Sequence, residues 1–229
     1  MASNASNLAV LYEDNHIIII NKKVGDITQG DKTGDKPLSD IVKEYIKKKY
    51  NKPGAVYLGV VHRLDRPTSG AIIFARTSKA LERLNKMLRD KQLDKTYWAV
   101  VKKKPEKAED TLINFLKKNP KNNKSTVFNK EIEGSKKAIL HYKTIKTLDR
   151  YFLLEVNLET GRHHQIRAQL ASIGSPIKGD LKYGFDRSNK NSGIHLHAKK
   201  VAFIHPVSKE KISIESPLPE DDPIWKACQ

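Results

Sequence analysis

The chain has 229 residues, 38% hydrophobic and 30% charged, which excludes a disordered polymer and fits one catalytic domain or two small ones. Lysine and arginine number 43 against 26 acidic residues, a net charge of +17 that points to a polyanionic partner. One cysteine, Cys228, excludes an internal disulfide and a cysteine-rich zinc site, and the longest aliphatic run, Ile17 to Ile20, is too short to span a bilayer.

The segment from Met1 to Asn7 lacks the basic and apolar blocks of a signal peptide, so a cytoplasmic protein without a membrane segment is expected. His16 to Asn21 (HIIIIN) reads as a strand buried on both faces. Gly25 to Pro37 reads as a loop. Pro37 then opens a helix with Leu38, Ile41, Val42, Tyr45 and Ile46 on one face. Val56 to His62 and Ala71 to Ala75 read as strands around an irregular piece, Arg63 to Gly70. Ser78 is the expected N-cap of a second amphipathic helix, with Ala80, Leu84, Met87 and Leu88 inward.

A strand is expected at Thr96 to Val101, weak strands at Thr111 to Phe115 and Ser125 to Asn129, and better ones at Ala138 to Lys146 and Tyr151 to Leu158, joined by a turn at Asp149-Arg150. Gly161 precedes a third helix that buries Ile166, Leu170 and Ile173 and ends at Gly174 and Pro176. Strands follow near Ile194 to Phe203 and Lys211 to Glu215, before a Pro-rich end. The pattern predicts an α+β fold on a mixed, mainly antiparallel sheet: a single catalytic domain over residues 8–219, with tails at 1–7 and 220–229.

Charge is uneven. Residues 95 to 150 hold 15 Lys+Arg against 6 Asp+Glu, and Lys102, Lys103, Lys104 and Lys107 lie together. Such side chains bind phosphate backbones through counterion release, which gives affinity but no choice of nucleotide.

Two segments could carry chemistry. Val61 to Gly70 (VHRLDRPTSG) sets Asp65 between Arg63 and Arg66, in a segment bounded by apolar strands. Guanidinium neighbours favour the ionised form of a partly desolvated carboxylate, which can then act as nucleophile or base; a structural Asp-Arg turn fits the same pattern. Thr160 to Arg167 (TGRHHQIR) places two arginines, two histidines and a glutamine at an expected helix N-terminus, an anion-friendly surface.

Metal chemistry is not expected. Adjacent His163 and His164 would point about 100° apart on a helix, and no acid or cysteine stands near His195 and His197 in the sequence. Ser69 lacks the glycine elbow of a hydrolase, since Pro67 stands where the first glycine belongs, and phosphate-binding glycine loops are missing. Tyr97 and Trp98 alternate on one strand, so one faces the core and the other is available to stack on a base.

The segment VHRLDRPTSG resembles the signature of the RluA-type pseudouridine synthases. AIIFART (Ala71 to Thr77), DKTY (Asp94 to Tyr97), TGRHHQIR running on to SPIKGD (Ser175 to Asp180), and the pair His195-Leu196-His197-Ala198 and Phe203-Ile204-His205-Pro206 resemble that family in the same order. The resemblance covers residues 8 to about 219. It implies Asp65 as the catalytic aspartate, Tyr97 as the tyrosine against the target base, and Arg167 as the arginine that pairs with the aspartate. It also implies Arg63 as a nucleotide-flipping and phosphate contact, with His62, Arg66, Arg162, His164, Gln165 and the lysines 102 to 104 completing an expected RNA surface.

No metal and no organic cofactor are implied, and the expected partner of a monomer is a ribosomal or transfer RNA stem-loop. One departure is Lys23-Val24-Gly25, where the family usually has proline after Asn-Lys; that bears on loop geometry. The extra S4-type RNA-binding module of many relatives is not expected here. Rival expectations are a catalytically silent RNA-binding or ribosome-assembly factor, and a glycosidase-like hydrolase, which would need a second carboxylate beside Asp65.

Overall fold

In the computed structural model, which describes residues 3–30 and 34–229, eleven strands form among the described residues. They are Val10–Glu13 (β1), Ile17–Lys22 (β2), Gly59–Val60 (β3), Ser69–Ala75 (β4), Leu93–Val101 (β5), Glu109–Asn119 (β6), Lys124–Phe128 (β7), Lys136–Thr147 (β8), Phe152–Leu158 (β9), Leu196–Ile204 (β10) and Lys211–Glu215 (β11). The helices are Leu38–Lys49 (α1), Ser78–Arg89 (α2), Gln165–Ser172 (α3) and Pro223–Ala227 (α4). Residues 1–2 of the expected tail and 31–33 of the expected loop lie outside the described residues. The architecture is α+β on a mixed, mainly antiparallel sheet, as the alternation of short strands and turns implies. No helix among the described residues is long and apolar enough to cross a membrane.

Contacts divide the chain into two compact units, one running to Asp94 and including Ala198–Pro217, the other comprising Lys95–His197 and Leu218–Gln229. In the first, the strand order is β1-β2-β4-β10, with β11 paired to β10 and β3 to β4. Ile17 and Ile19 pack with Ala71, Ile73, Ala80 and Leu84, while Ile18 and Ile20, on the other face by the two-residue period, are equally buried. Each fully buried isoleucine contributes about 1.5–3 kcal/mol. Helix α1 buries Leu38, Ile41, Val42 and Ile46.

In the second unit the order is β5-β9-β8-β6-β7, and every pair along it is antiparallel. Leu148 N–H donates to Tyr151 C=O at 2.8 Å, closing the expected turn around Asp149 and Arg150. Strand β7 pairs only with Phe115–Asn119, the far end of β6. Helix α3 packs on β6 and β7, with Ala168 and Ala171 against Leu116 and Val127, and its fully buried Gln169 donates from Nε2 to the Leu112 C=O at 3.1 Å and to Asn114 Oδ1 at 2.8 Å.

Several expectations shift. The strand expected at Val56 to His62 narrows to Gly59–Val60, because the rest of that segment carries no ladder bonds. The cap of α2 is Thr77, whose hydroxyl accepts from Ala80 N–H at 3.2 Å, and Ser78 is the first helical residue. The third helix starts at Gln165, four residues after the expected glycine; its end holds, with Gly174 at φ +76° and Ser175 N–H bonded to Leu170 C=O at 3.0 Å.

Residues 220–229 are no loose tail. Asp222 caps α4 through Ile224 and Trp225 N–H, Pro223 takes the first helical position, and Trp225 and Cys228 are buried with Val100, Leu153 and Leu218. Asp222 also meets the buried His195, Oδ1 to Nε2 at 3.0 Å, and Trp225 stacks on that imidazole. Burial works against the Asp222 charge, but His195 and the two helix N–H groups outweigh it and bring the carboxyl down to about 2. Thus His195 does have a carboxylate partner, 27 residues on in sequence. The pair is occupied in fastening α4, and among the described residues no group of three ligand-type side chains assembles.

Gly70 brings two backbones of the first unit into close approach. Its φ is +112°, and a β-carbon there would stand 2.5 Å from the backbone nitrogen of Ala198. Gly70→Ala is therefore expected to cost at least about 2 kcal/mol in urea denaturation. A cost under about 0.5 kcal/mol, the range of ordinary surface changes, would show that β4 and β10 do not approach this closely.

Candidate active site

In the first unit the segment from Leu64 to Thr68 is held by its own backbone. Leu64 is buried, and Thr28 Oγ1 bridges it twice, donating to its C=O at 3.2 Å and accepting from its N–H at 3.3 Å. Asp65 C=O accepts from Thr68 N–H at 3.0 Å, making a tight turn, and Gly25 N–H donates to Arg66 C=O at 2.9 Å.

Beneath this turn lies Lys22, fully buried at the end of β2. Its ammonium donates to three carbonyls, Thr68 at 2.7 Å, Lys23 at 3.0 Å and Arg66 at 3.2 Å. Burial pushes the Lys22 amine down to about 8; Asp26 and Asp65 pull the other way, and Arg66 adds to the lowering. The carbonyl of Lys23 is thus one of the three acceptors, a contact that uses the backbone and not the Lys23 side chain.

The side chains of the motif point in several directions. Asp65 is part-exposed and Arg63 exposed. His62 Nε2 accepts from Ile73 N–H at 3.1 Å, tying the motif to β4. Arg66 forms an exposed ion pair with Asp35 at 2.7 Å, a contact that salt screens readily.

In the second unit, residues 160–164 form a loop instead of a helical turn, and Gln165 builds it. The Gln165 Oε1 accepts from Thr160 Oγ1 at 2.8 Å and from Arg162 N–H at 3.0 Å, while Nε2 donates to Ile139 C=O at 3.0 Å. Gln165 is 3% exposed, so its amide serves this loop. His164 adopts φ +53° and ends the loop. The two imidazoles, which a helix would have separated, stack with centroids 3.8 Å apart. His164 Nδ1 lies 3.0 Å from Tyr183 Oη, and Ser125 Oγ donates to His163 C=O at 2.7 Å. Arg162 is exposed and anchored by Nε to Lys137 C=O at 2.9 Å.

Arg167, on the first turn of α3, is buried in a two-pronged ion pair with Asp180: Nε to Oδ2 at 2.7 Å and Nη2 to Oδ1 at 2.9 Å. Its guanidinium also lies over the Tyr183 ring, 5.1 Å from the centroid. Sequence reasoning had quoted Asp180 only as part of a motif; its role as an ion-pair partner was missed, since nothing local links it to an arginine 13 residues earlier. Tyr97 is 6% exposed on β5. Trp98, on the opposite face, packs against the cluster of Val100, Leu218 and Trp225. Lys102, Lys103 and Lys104 are exposed; Lys102 reaches Asp186 at 3.5 Å.

With this geometry, comparison with known proteins is direct. The family model described as RNA pseudouridylate synthase matches residues 16–172. The chain belongs to that family.

An uncharacterized RNA pseudouridine synthase of Bacillus subtilis, YhcT, is 36% identical over 218 residues, covering 93% of this chain and 70% of that protein. Ribosomal large subunit pseudouridine synthase C of Buchnera aphidicola is 34% identical over 221 residues, 93% of this chain and 67% of that protein. The fold matches human RNA pseudouridylate synthase domain containing 4 with a TM-score of 0.79 at 21% identity, over 95% of this chain and 92% of that one. The protein is thus an enzyme, an RNA pseudouridine synthase, and its reaction is the isomerisation of uridine in RNA.

Two outcomes are expected of the buried charges. Arg167→Met strands the Asp180 carboxylate, 1% exposed, and should cost about 3–5 kcal/mol, most of which Arg167→Met with Asp180→Asn should restore. Equal stability of the single and double variants in urea denaturation would show the pair to be uncoupled.

The Lys22 amine titrates lower in the folded enzyme than in the unfolded chain. Below about pH 8 both states are charged and the burial cost is fully present; between about 8 and 10.5 the unfolded state binds the extra proton, so stability rises with pH. The stability of wild type minus that of Lys22→Met should therefore climb by up to about 3 kcal/mol across this window. A flat difference would contradict the burial account.

Proposed function

We propose that the enzyme isomerises uridine at one or a few sites in a structured ribosomal or transfer RNA, with Asp65 as the catalytic carboxylate. The observation that carries this reading is the bracing of the Asp65 turn, where a buried ammonium, a buried hydroxyl and a backbone N–H are all committed to carbonyls on either side of one part-exposed carboxylate. A fold invests such buried polar groups where a side chain must be held in one geometry.

The reaction cuts the N1–C1′ bond of uridine, turns the base, and rejoins it through C5, which gives up its proton to a base or water while N1 gains one. The product is an isomer of the substrate and no net oxidation or reduction occurs, so neither a metal nor an organic cofactor enters the proposed chemistry. The carboxylate of Asp65 serves either by attacking C1′ or by taking the 2′ proton to give a glycal. Tyr97 lies against the base during this rearrangement, and Arg167 is the cation that balances the aspartate. Two of its nitrogens are held by Asp180, which fixes the guanidinium within its own unit.

A duplex hides the target atoms, so the base is extruded or already unpaired. Arg63 is the flipping and phosphate contact, and His62, Arg66, Arg162, His164 and the lysines 102 to 104 line the RNA path around it. Gln165 contributes by shaping the loop that carries Arg162. A single stem-loop with the uridine in its loop is a sufficient substrate for a cytoplasmic monomer of this kind, since loops offer unstacked bases between phosphates.

The test is conversion of a stem-loop of about 15–20 nucleotides, read by carbodiimide labelling. Asp65→Ala should reduce pseudouridine to background while its urea midpoint stays near wild type. Turnover within about tenfold of wild type would remove Asp65 from the chemistry.

A further inference from the structure

Lys95 is unlike the enzyme's other buried cations. Lys22 and Arg167 each spend their charge on carbonyls or a carboxylate. Lys95 is part-buried on β5, and among the described residues it makes no hydrogen bond and no ion pair. Burial alone pushes its amine below the ordinary lysine range, with no acid nearby to pull it back. Left unpaired, such a group costs stability.

Its surroundings say what would pair it. Lys95 and Tyr97 are two residues apart on β5, so both project from the same face of the strand. The Lys95 ammonium also abuts the loop that Gln165 organises. A β-carbon built on Gly161 would lie 3.6 Å from Nζ, ordinary contact distance, so the loop backbone borders the ammonium at a position without a side chain. Next along this loop stands the exposed Arg162. A cation without a partner, beside an arginine and on the face of a buried tyrosine, fits an anion that arrives with the substrate.

We infer that Lys95 binds one backbone phosphate of the RNA, close to the uridine that is isomerised, and that the fold leaves this ammonium unpaired so that the phosphate is its only partner. This rests on the proposed function, since the anion is taken to be RNA. Lys95 is a binding residue here; the reacting atoms are left to Asp65. Because the bare charge is a burden on the free enzyme, removing it should stabilise the fold while weakening the complex, the opposite of what a structural lysine would do.

The experiment uses the full chain and a stem-loop substrate in which neutral methylphosphonate replaces each loop phosphate in turn. For wild type, one position next to the target uridine should weaken binding by about tenfold, the scale of a single charge-assisted hydrogen bond. Lys95→Met should bind the unmodified RNA about tenfold more weakly and be indifferent to methylphosphonate at that same position. The slope of log affinity against log salt should fall by about 0.7.

Its unfolding midpoint should match or exceed wild type, and Lys95→Arg should recover binding. Lys102→Met should show the reduced salt slope and keep the full response to methylphosphonate. If Lys95→Met lowers the unfolding midpoint and weakens all the RNAs equally, Lys95 is structural and the inference fails. If wild type converts the unmodified stem-loop but no single phosphate matters more to it than to Lys95→Met, the inference also fails while the function stands. If wild type converts none of the RNAs, it is the functional reading that falls.

Discussion

An ammonium buried without water needs every one of its protons accepted. Lys22 meets this with the carbonyls of Lys23, Arg66 and Thr68, and so ties the end of β2 to the far side of the Asp65 turn. The arrangement works because carbonyls of a tight turn diverge from the ladder and point inward together. It constrains the rest of the segment: with Arg66 and Thr68 fixed from below and Leu64 fixed by Thr28, Asp65 has little freedom left in its backbone. Gly70 then lets the chain enter β4 against Ala198, where any side chain would collide.

The second unit solves the same problem with neutral and paired groups. Gln165 shapes its loop by three amide bonds, and Asp180 locks Arg167 by two, so a residue on the first turn of a short helix keeps one orientation. Both devices put polar atoms in the interior and pair them through geometry that only the folded chain provides.

Much of this was legible in the sequence. The isoleucine run, the face of α1, the turn at Asp149 and Arg150 and the glycine end of α3 follow from periodicity and turn chemistry, and the signature around Asp65 carried the family. What escaped has definite causes. The pattern starts α3 too early because non-glycine residues seldom take positive φ, yet His164 does, held beside Tyr183 by a bond no local pattern announces. Helix α4 has a local signal, since Asp222-Pro223 is a cap followed by a first-turn proline, but five residues are too few for a helical period to stand out from a proline-rich end. Nothing local marks Lys22 as buried in a chain rich in lysine. Only the fold shows that its three acceptors come from residues 23, 66 and 68.

Gln169 has a consequence for how firmly Arg167 is placed. Its Nε2 reaches the carbonyls of Leu112 at 3.1 Å and Ala138 at 3.5 Å, on the neighbouring strands β6 and β8, and grips Asn114 Oδ1 at 2.8 Å. A slide of α3 along the sheet would break these bonds in a fully buried side chain, at about 1–3 kcal/mol for a donor left without an acceptor. The helix therefore has one register on the sheet, and the arginine two residues before Gln169 inherits it.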